Sequence, residues 1–438
     1  MKFSPLRNST VLRPQILALL PSFKDSYIKV LLKRLPQSFL ASLISTTVKP
    51  RTNKADASIR LFVLDHTRFR DDLVALDRFT DIEFCLIPNW VQRWITAFID
   101  DQCSRQSKDA LGLRVKYLSG LLSKLSDARN TAGFLSCGFY YAQNHEWELA
   151  CADMNIPFFC LHREMVGAEP HQMNRIWGNQ IKTWRKFKGS LIMIATDSAK
   201  KMLTHHNYID PDKIIVTGAP RFDLVHHNKS KPSKDKLLVF FSFPLTTGQP
   251  DLRIKSGTFP TTGGFRNLFR SVHQVVARFA IDHPDITVII RPKWYASAWK
   301  KEIDGALIPI LAKLDKKPNN LKIIDNVGAQ ECLSKAGAVI SLNSTTGVEA
   351  LMYGIPSILP HYHEAIDELK DNLLITSDAE PFYVARSEVE LSNHLNNYAS
   401  GNLPAKAVVD SFYQNIIGPA DGQSSARVQN LITNRTCS

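Results

Sequence analysis

Several features that would decide a protein's class are missing from this chain. It has no CxxC pair and no other zinc-ligand spacing, and its cysteines, at 85, 103, 137, 151, 160, 332 and 437, form an odd set. Reduced thiols in a cytoplasmic protein are therefore expected, not a disulfide scaffold. Cys85, Cys137 and Cys160 fall in apolar strand-like runs, where a buried, inert thiol is the ordinary role. No apolar run approaches the roughly 20 residues of a membrane helix; Leu237–Leu245 reaches about half that length. Near the start only Ile16–Leu20 is apolar, bounded by Pro14 and Pro21, so no secretory signal is expected. Internal repeats, low-complexity tracts, an aromatic RNP-like strand and a recognition-helix pattern are also lacking, and nucleic acid is not an expected partner.

What is present is an ordinary globular composition over 438 residues, 44% hydrophobic and 22% charged, enough for two or three units with full cores. Lys plus Arg exceed Asp plus Glu by 54 − 41 = 13. The surplus is spread through Lys182–Lys188, Lys200–Lys201, Lys229–Lys236 and Lys300–Lys301. A diffuse positive surface suits anionic nucleotides, glycolipids or the inner membrane face, and peripheral contact there is one expectation. A non-catalytic basic scaffold that binds nucleic acid is the reading from another class.

Apolar runs at Arg60–Leu64, Phe84–Pro88, Gly133–Gly138, Pro157–His162, Leu191–Thr196 and Lys213–Gly218 alternate with helical segments, which predicts an α/β, doubly wound parallel sheet. A second series follows at Leu237–Phe243, Ile286–Arg291, Leu321–Ile324, Ala338–Leu342 and residues 356–359. The polar stretch His226–Lys236 separates the two. The predicted organisation is a helical N-terminal segment (1–57), a first Rossmann-like domain (58–228), a second (237–404), and a tail with a crossover helix (405–438).

Ser341-Leu-Asn-Ser-Thr-Thr-Gly-Val-Glu-Ala-Leu-Met-Tyr-Gly-Ile-Pro-Ser-Ile-Leu-Pro360 carries the most information. It reads as strand, polar turn, short helix, glycine stop and second strand. Ser344, Thr345, Thr346 and Gly347 would present hydroxyls and backbone N–H groups at a helix N-terminus, an anion cradle. Glu349, placed in the first helical turn, can also grip a ribose hydroxyl. A well-capped βαβ unit without a ligand is the plainer alternative.

Four other stretches can carry chemistry. Pro157-Phe-Phe-Cys-Leu-His-Arg-Glu-Met165 ends a strand in His162, Arg163 and Glu164, and a carboxylate there can take a proton from an attacking hydroxyl, or pair with Arg163. In Val216-Thr-Gly-Ala-Pro-Arg-Phe-Asp223, Arg221 can meet phosphate or carboxylate and Asp223 can face a cleft, or the two can pair. Gln249 in Thr246-Thr-Gly-Gln-Pro250 can read a base edge or a sugar hydroxyl. Arg291 and Lys293 in Val288-Ile-Ile-Arg-Pro-Lys-Trp294 can balance a departing phosphate. His361 and Glu364 follow the motif strand as candidate pocket residues. The pairs His205–His206, His226–His227 and His361–His363 invite a metal, but adjacent histidines point apart, and none is expected.

Taken together these stretches resemble GT-B glycosyltransferases of the capsule and surface-carbohydrate biosynthesis families, β-Kdo transferases in particular. The serine-threonine turn before "EAL..G.P", the "lhKE"-like strand end, the "vtG.PR.D" segment, the "QP" element and Gly418-Pro-Ala-Asp-Gly-Gln-Ser-Ser-Ala-Arg427, similar to a "DG.sa.r" ending, carry the likeness. Lys293 stands where those families have histidine in "K.HP". The resemblance implies two Rossmann-like domains facing a cleft, the first for the acceptor and the second for the donor, bridged by the crossover helix. It implies transfer of a sugar, Kdo from CMP-Kdo foremost, to a growing polysaccharide or glycolipid, with Ser344, Thr345, Thr346, Gly347, Glu349, Arg291, Lys293 and Gln249 holding the donor. Glu164 and Asp223 would be the catalytic carboxylates, with His162, Arg221 and His361 lining the cleft. No cofactor beyond the nucleotide-sugar co-substrate is implied. A CDP-glycerol-type transferase and a sugar-nucleotide 2-epimerase share the same fold.

Overall fold

The structure, a computed structural model, describes residues between 41 and 436, apart from 45–47, 89–91, 93–107, 165–180, 182–184, 228–235, 248–262, 293–296, 376–379 and scattered single or paired positions. Lys293, Gln249 and most of segment 1–57 thus lie outside the described residues.

Two sheets carry the fold. The first contains β1 (Lys49–Pro50), β2 (Ile59–Val63), β3 (Ile82–Leu86), β4 (Gly133–Ser136), β5 (Phe158–His162), β6 (Leu191–Ile194) and β7 (Ile214–Val216) in the order β1-β3-β2-β4-β5-β6-β7. β2 pairs in parallel with β3 and β4, and β4 with β5, while the two-residue β1 runs antiparallel at the edge. Helices α1 (Arg70–Phe79), α2 (Lys108–Arg129), α3 (Ala142–Asp153), α4 (Asp197–His205) and α5 (Arg221–His227) occur between and after these strands.

The second sheet contains β8 (Leu237–Phe241), β9 (Thr287–Arg291), β10 (Leu321–Ile323), β11 (Ala338–Ser341), β12 (Ser357–Pro360) and β13 (Tyr383–Ala385), all parallel, in the order β10-β9-β8-β11-β12-β13. Its helices are α6 (Arg266–Asp282), α7 (Ser297–Leu311), α8 (Ala329–Leu333), α9 (Thr345–Met352) and α10 (Glu388–Ala399), followed by α11 (Asp410–Ile416) and α12 (Ser424–Thr436).

Parallel strands are covered on both faces, so they read as apolar runs and not as alternation. β8 shows why: Leu238 and Phe240 enter one cluster with Val272, Val276 and Ile303, while Val239 and Phe241 enter another with Leu333, Ala336 and Ala350. Two Rossmann-like α/β sheets are therefore present, as expected. The observed strands are mostly one or two residues shorter than the apolar runs, because the polar ends curl into loops.

By compactness the chain divides into one unit of Met1–Arg163, Arg185–Met193 and Val428–Ser438, and another of Glu164–Trp184 and Ile194–Arg427. Five cysteines, Cys85, Cys137, Cys151, Cys160 and Cys332, are buried free thiols. Burial pushes Cys151 and Cys160 well above the usual thiol range, which makes them inert. Among the described residues no helix is long and apolar enough to cross a membrane.

Candidate functional site

The order of the second sheet places its topological switch between β8 and β11: the chain moves outward through β9 and β10, then returns to the other side of β8. In open parallel sheets ligands bind outside the carboxyl ends of the strands at that point. The serine-threonine turn begins there, because Ser341, the last residue of β11, is level with Phe241 of β8.

Leu342 and Asn343 follow, Asn343 with φ +51, and this left-handed residue turns the chain before the helix can start. Ser344 is the N-cap, with its hydroxyl accepting from the Thr346 N–H at 3.3 Å and bonded to the Thr346 hydroxyl at 2.8 Å. The Gly347 N–H donates to the Ser344 carbonyl at 3.2 Å. Two first-turn N–H groups are thus taken, which leaves the Thr345 end of the half-buried turn to meet an anion. Gly347 serves close packing: a Cβ there would run into the Ser341 hydroxyl and lie 3.2 Å from both the Ser357 hydroxyl and the Phe382 ring. Gly354, φ +69, stops the helix as expected.

Glu349 corrects one expectation. Helix α9 begins only at Thr345, so Glu349 lies in its second turn and not its first. The residue is buried, and its carboxylate accepts a hydrogen bond from the side-chain amide of Gln330, on α8. The carbonyl oxygen of that amide accepts from the Tyr353 phenol at 3.0 Å. Arg291, half-buried at the end of β9, donates from Nε to the Val327 carbonyl at 3.0 Å and lies 5.8 Å from the centre of the Phe241 ring. Arg291, Gln330 and Glu349 therefore pin the loop between β10 and α8.

Ser242, directly after β8, belongs to a buried relay that sequence reading did not find. His273 Nδ1 is 2.7 Å from the Phe269 carbonyl, which can only accept, so Nδ1 carries the proton and Nε2 accepts from the Ser242 hydroxyl at 3.2 Å. Trp299 Nε1 donates to the same hydroxyl at 3.4 Å. Burial lowers the His273 pKa to about 4. Nothing in an apolar helical pattern marks such a histidine in advance.

His361 is buried after β12, and its N–H donates to the Ala385 carbonyl at 2.8 Å, extending the strand pairing. The Glu364 carboxylate accepts from the Asn267 and Leu268 N–H groups at 2.9 and 3.0 Å, in the first turn of α6. The Glu364 charge thus compensates a helix N-terminus.

Asp223 is likewise reassigned. It lies in α5, buried, and its two oxygens accept from the Ser424 and Ser425 N–H groups at 3.1 and 2.6 Å, capping α12. A carboxylate so engaged holds a helix in place, and the nucleophile role expected for it has no support in this geometry. The neighbouring contacts complete a clasp: His226 Nδ1 donates to the Ala420 carbonyl and His227 Nε2 to the Gly422 carbonyl, each at 3.1 Å. Arg427 donates to the Thr217 carbonyl at 2.8 Å and grips Asp421 with two bonds of 2.9 Å. Gly418, φ +80, packs so closely on the Ala195 carbonyl that a Cβ would overlap it. The "vtG.PR.D"-like and "DG.sa.r"-like segments, far apart in sequence, are one structural piece. Arg221 is buried with its guanidinium 4.7 Å from the centre of the Phe222 ring.

In the first sheet the switch falls between β2 and β4. There the Gln92 side chain accepts from the Asp65 N–H at 2.7 Å, and the Asn144 amide donates to the Gly138 carbonyl at 3.2 Å. His162, at the end of β5, is buried 4.3 Å from the Phe139 ring. Burial, helped by the Arg163 charge, pushes its pKa down to about 3, so it stays neutral at physiological pH. Glu164, two residues on, is half-buried. Glu148, on the preceding helix, is buried and accepts the Lys188 N–H. Among the described residues no group of three or more His, Cys, Asp or Glu side chains stands where it could hold a metal.

The chain has the GT-B fold. No family model matches it, and no curated protein does. Among solved structures, the wall teichoic acid polymerase TagF is similar over 98% of this chain and 99% of its own, with 11% identity and a TM-score of 0.50. A putative UDP-N-acetylglucosamine 2-epimerase from Listeria monocytogenes is similar over 86% of this chain and 97% of its own, with 14% identity and a TM-score of 0.48. The UDP-GlcNAc 2-epimerase from Methanocaldococcus jannaschii gives 86% and 99%, 13% and 0.48.

Proposed function

We propose that the protein is a nucleotide-sugar-dependent enzyme, and that the reaction is transfer of the activated group to a hydroxyl of a surface glycan or glycolipid. The observation that carries this reading is the position of the serine-threonine turn at the carboxyl ends of β11 and β8, where the second sheet switches direction. In this reading the Thr345 end of the turn receives the diphosphate or phosphate, Ser344 and Thr346 shape it, Glu349 takes a ribose hydroxyl, and Arg291 with Lys293 offsets the charge of the departing nucleotide. Glu164 is the candidate general base for the acceptor hydroxyl. The activity needs no cofactor beyond the nucleotide donor.

Kdo from CMP-Kdo is the finer proposal, supported by the motif resemblance and the "QP" element. A CDP-glycerol-type transferase and a sugar-nucleotide 2-epimerase of the same fold are kept beside it, the first supported by the likeness in fold to a wall teichoic acid polymerase.

A thermal-shift panel of CMP, CDP, UDP, GDP and ADP against the native protein and Glu349→Ala tests the class and the base together, because a ligand that binds only the folded state raises its melting temperature. A CMP-selective shift lost in the variant is expected for the Kdo reading. A UDP- or CDP-selective shift redirects the donor, and no shift with any nucleotide removes the enzyme reading.

A further inference from the structure

We propose that Gln330 is a positioning residue of the donor site: its side-chain amide, fixed between Tyr353 and Glu349, sets the orientation of the carboxylate that meets the ribose. The inference rests on the donor-site reading above.

The polarity of the chain is what makes Gln330 specific. An ionised carboxylate only accepts, and an amide has one donating and one accepting end. Gln330 donates from Nε2 to Glu349 and accepts at Oε1 from the Tyr353 phenol at 3.0 Å. A flipped amide would set its oxygen against the carboxylate, so the carboxylate selects the orientation and the phenol, by donating to Oε1, holds the amide in it. Tyr353 is the C-cap of α9, one turn after Glu349, so the same helix presents the carboxylate and the group that orients its partner. The support matters because Glu349 is only 3% exposed, and an ionised carboxylate at such a site is costly without hydrogen bonds that favour its charged form. Gln330 also ties the carboxylate to α8, which begins directly after the loop held by Arg291 through Val327. A shift of that loop is thereby transmitted to Glu349.

Calorimetric titration with CMP, its 2′-deoxy and 3′-deoxy forms, and the same three forms of UDP separates the possibilities. The native protein is expected to prefer one ribonucleotide over a deoxy form by about tenfold, the scale of one hydrogen bond to a charged group. Glu349→Ala should bring that ratio to about one. Gln330→Leu should lower the ratio several-fold while leaving the affinity for the deoxy form unchanged, and Tyr353→Phe, which keeps the ring, should do so to a smaller degree. Gln330→Glu should bind poorly at pH 8 and recover toward pH 5, as one of two facing carboxylates takes a proton.

A native ratio in Gln330→Leu and Tyr353→Phe, with the ratio lost in Glu349→Ala, overturns the role of Gln330 and leaves the donor reading standing. An unchanged ratio in Glu349→Ala, or no nucleotide binding by the native protein, overturns both. Equal weakening of ribo and deoxy forms in Gln330→Leu shows Gln330 to be only a structural prop.

Discussion

At His273 the donors run in one direction, from Trp299 through Ser242 to the ring and on to the Phe269 carbonyl, and a second proton on Nε2 would face a hydroxyl that must first turn round. His162 is buried as deeply, against Phe139. Their pKa values, about 4 and about 3, lie below the ordinary 6.5. Below pH 6.5 the unfolded chain takes up protons that the folded chain refuses, so stability is fully present above pH 6.5 and is lost as pH falls toward 4. The loss is about 1.4 kcal/mol per pH unit for each histidine. Denaturant midpoints at pH 7 and pH 5 should therefore converge in His273→Gln relative to the native protein, and an equal pH dependence in both would refute the neutral state of His273.

Among the described residues five helices begin on a side-chain oxygen: Thr196 caps α4 and Ser387 caps α10 from the position just before each helix, as Ser344 does for α9, and two caps come from elsewhere in the chain. Ser344 caps its own α9, but Glu364 caps α6 and Asp223 caps α12. Caps of this kind contribute about 1–2 kcal/mol. Asp223→Ala should lower the melting temperature, and Asp223→Asn, which keeps one accepting oxygen, should lower it less and retain nucleotide binding. Lost turnover in Asp223→Asn at unchanged stability would return the residue to the chemistry. The same elements show what sequence reading can reach. Apolar runs such as Leu237–Phe241 were legible because a strand buried on both faces must be apolar. β13 was not, since it is only three residues long and Tyr383 and Val384 are half-buried, with Ala385 alone inside. α5 lies inside a segment whose sequence reads as a strand end and turn, and the sequence pattern puts Glu349 one turn early because Asn343, φ +51, delays the helix. Asp223 and Glu364 could not be told from catalytic carboxylates, because their partners are far away in sequence.

For the molecule as a whole, 13 surplus positive charges distributed along the chain predict weak, salt-sensitive attraction to anionic surfaces. Co-sedimentation with phosphatidylglycerol vesicles should drop several-fold between low salt and a few hundred millimolar, and binding that ignores salt would refute an electrostatic origin. A fold similar to that of TagF is reached at 11% identity, because topology depends on where apolar runs fall and not on which apolar residues fill them. The clasp at Asp223 bears on how the protein is made. The Asp223 carboxylate and the Ser424 N–H that it receives are 201 positions apart. During synthesis α5 therefore leaves the ribosome long before the segment that closes over it, and the nascent chain must wait through the whole second sheet with a buried-type acid exposed. Translation speed across residues 224–424, and not only the thermodynamics of the finished chain, then sets how long that acid stays open to water and to chaperones.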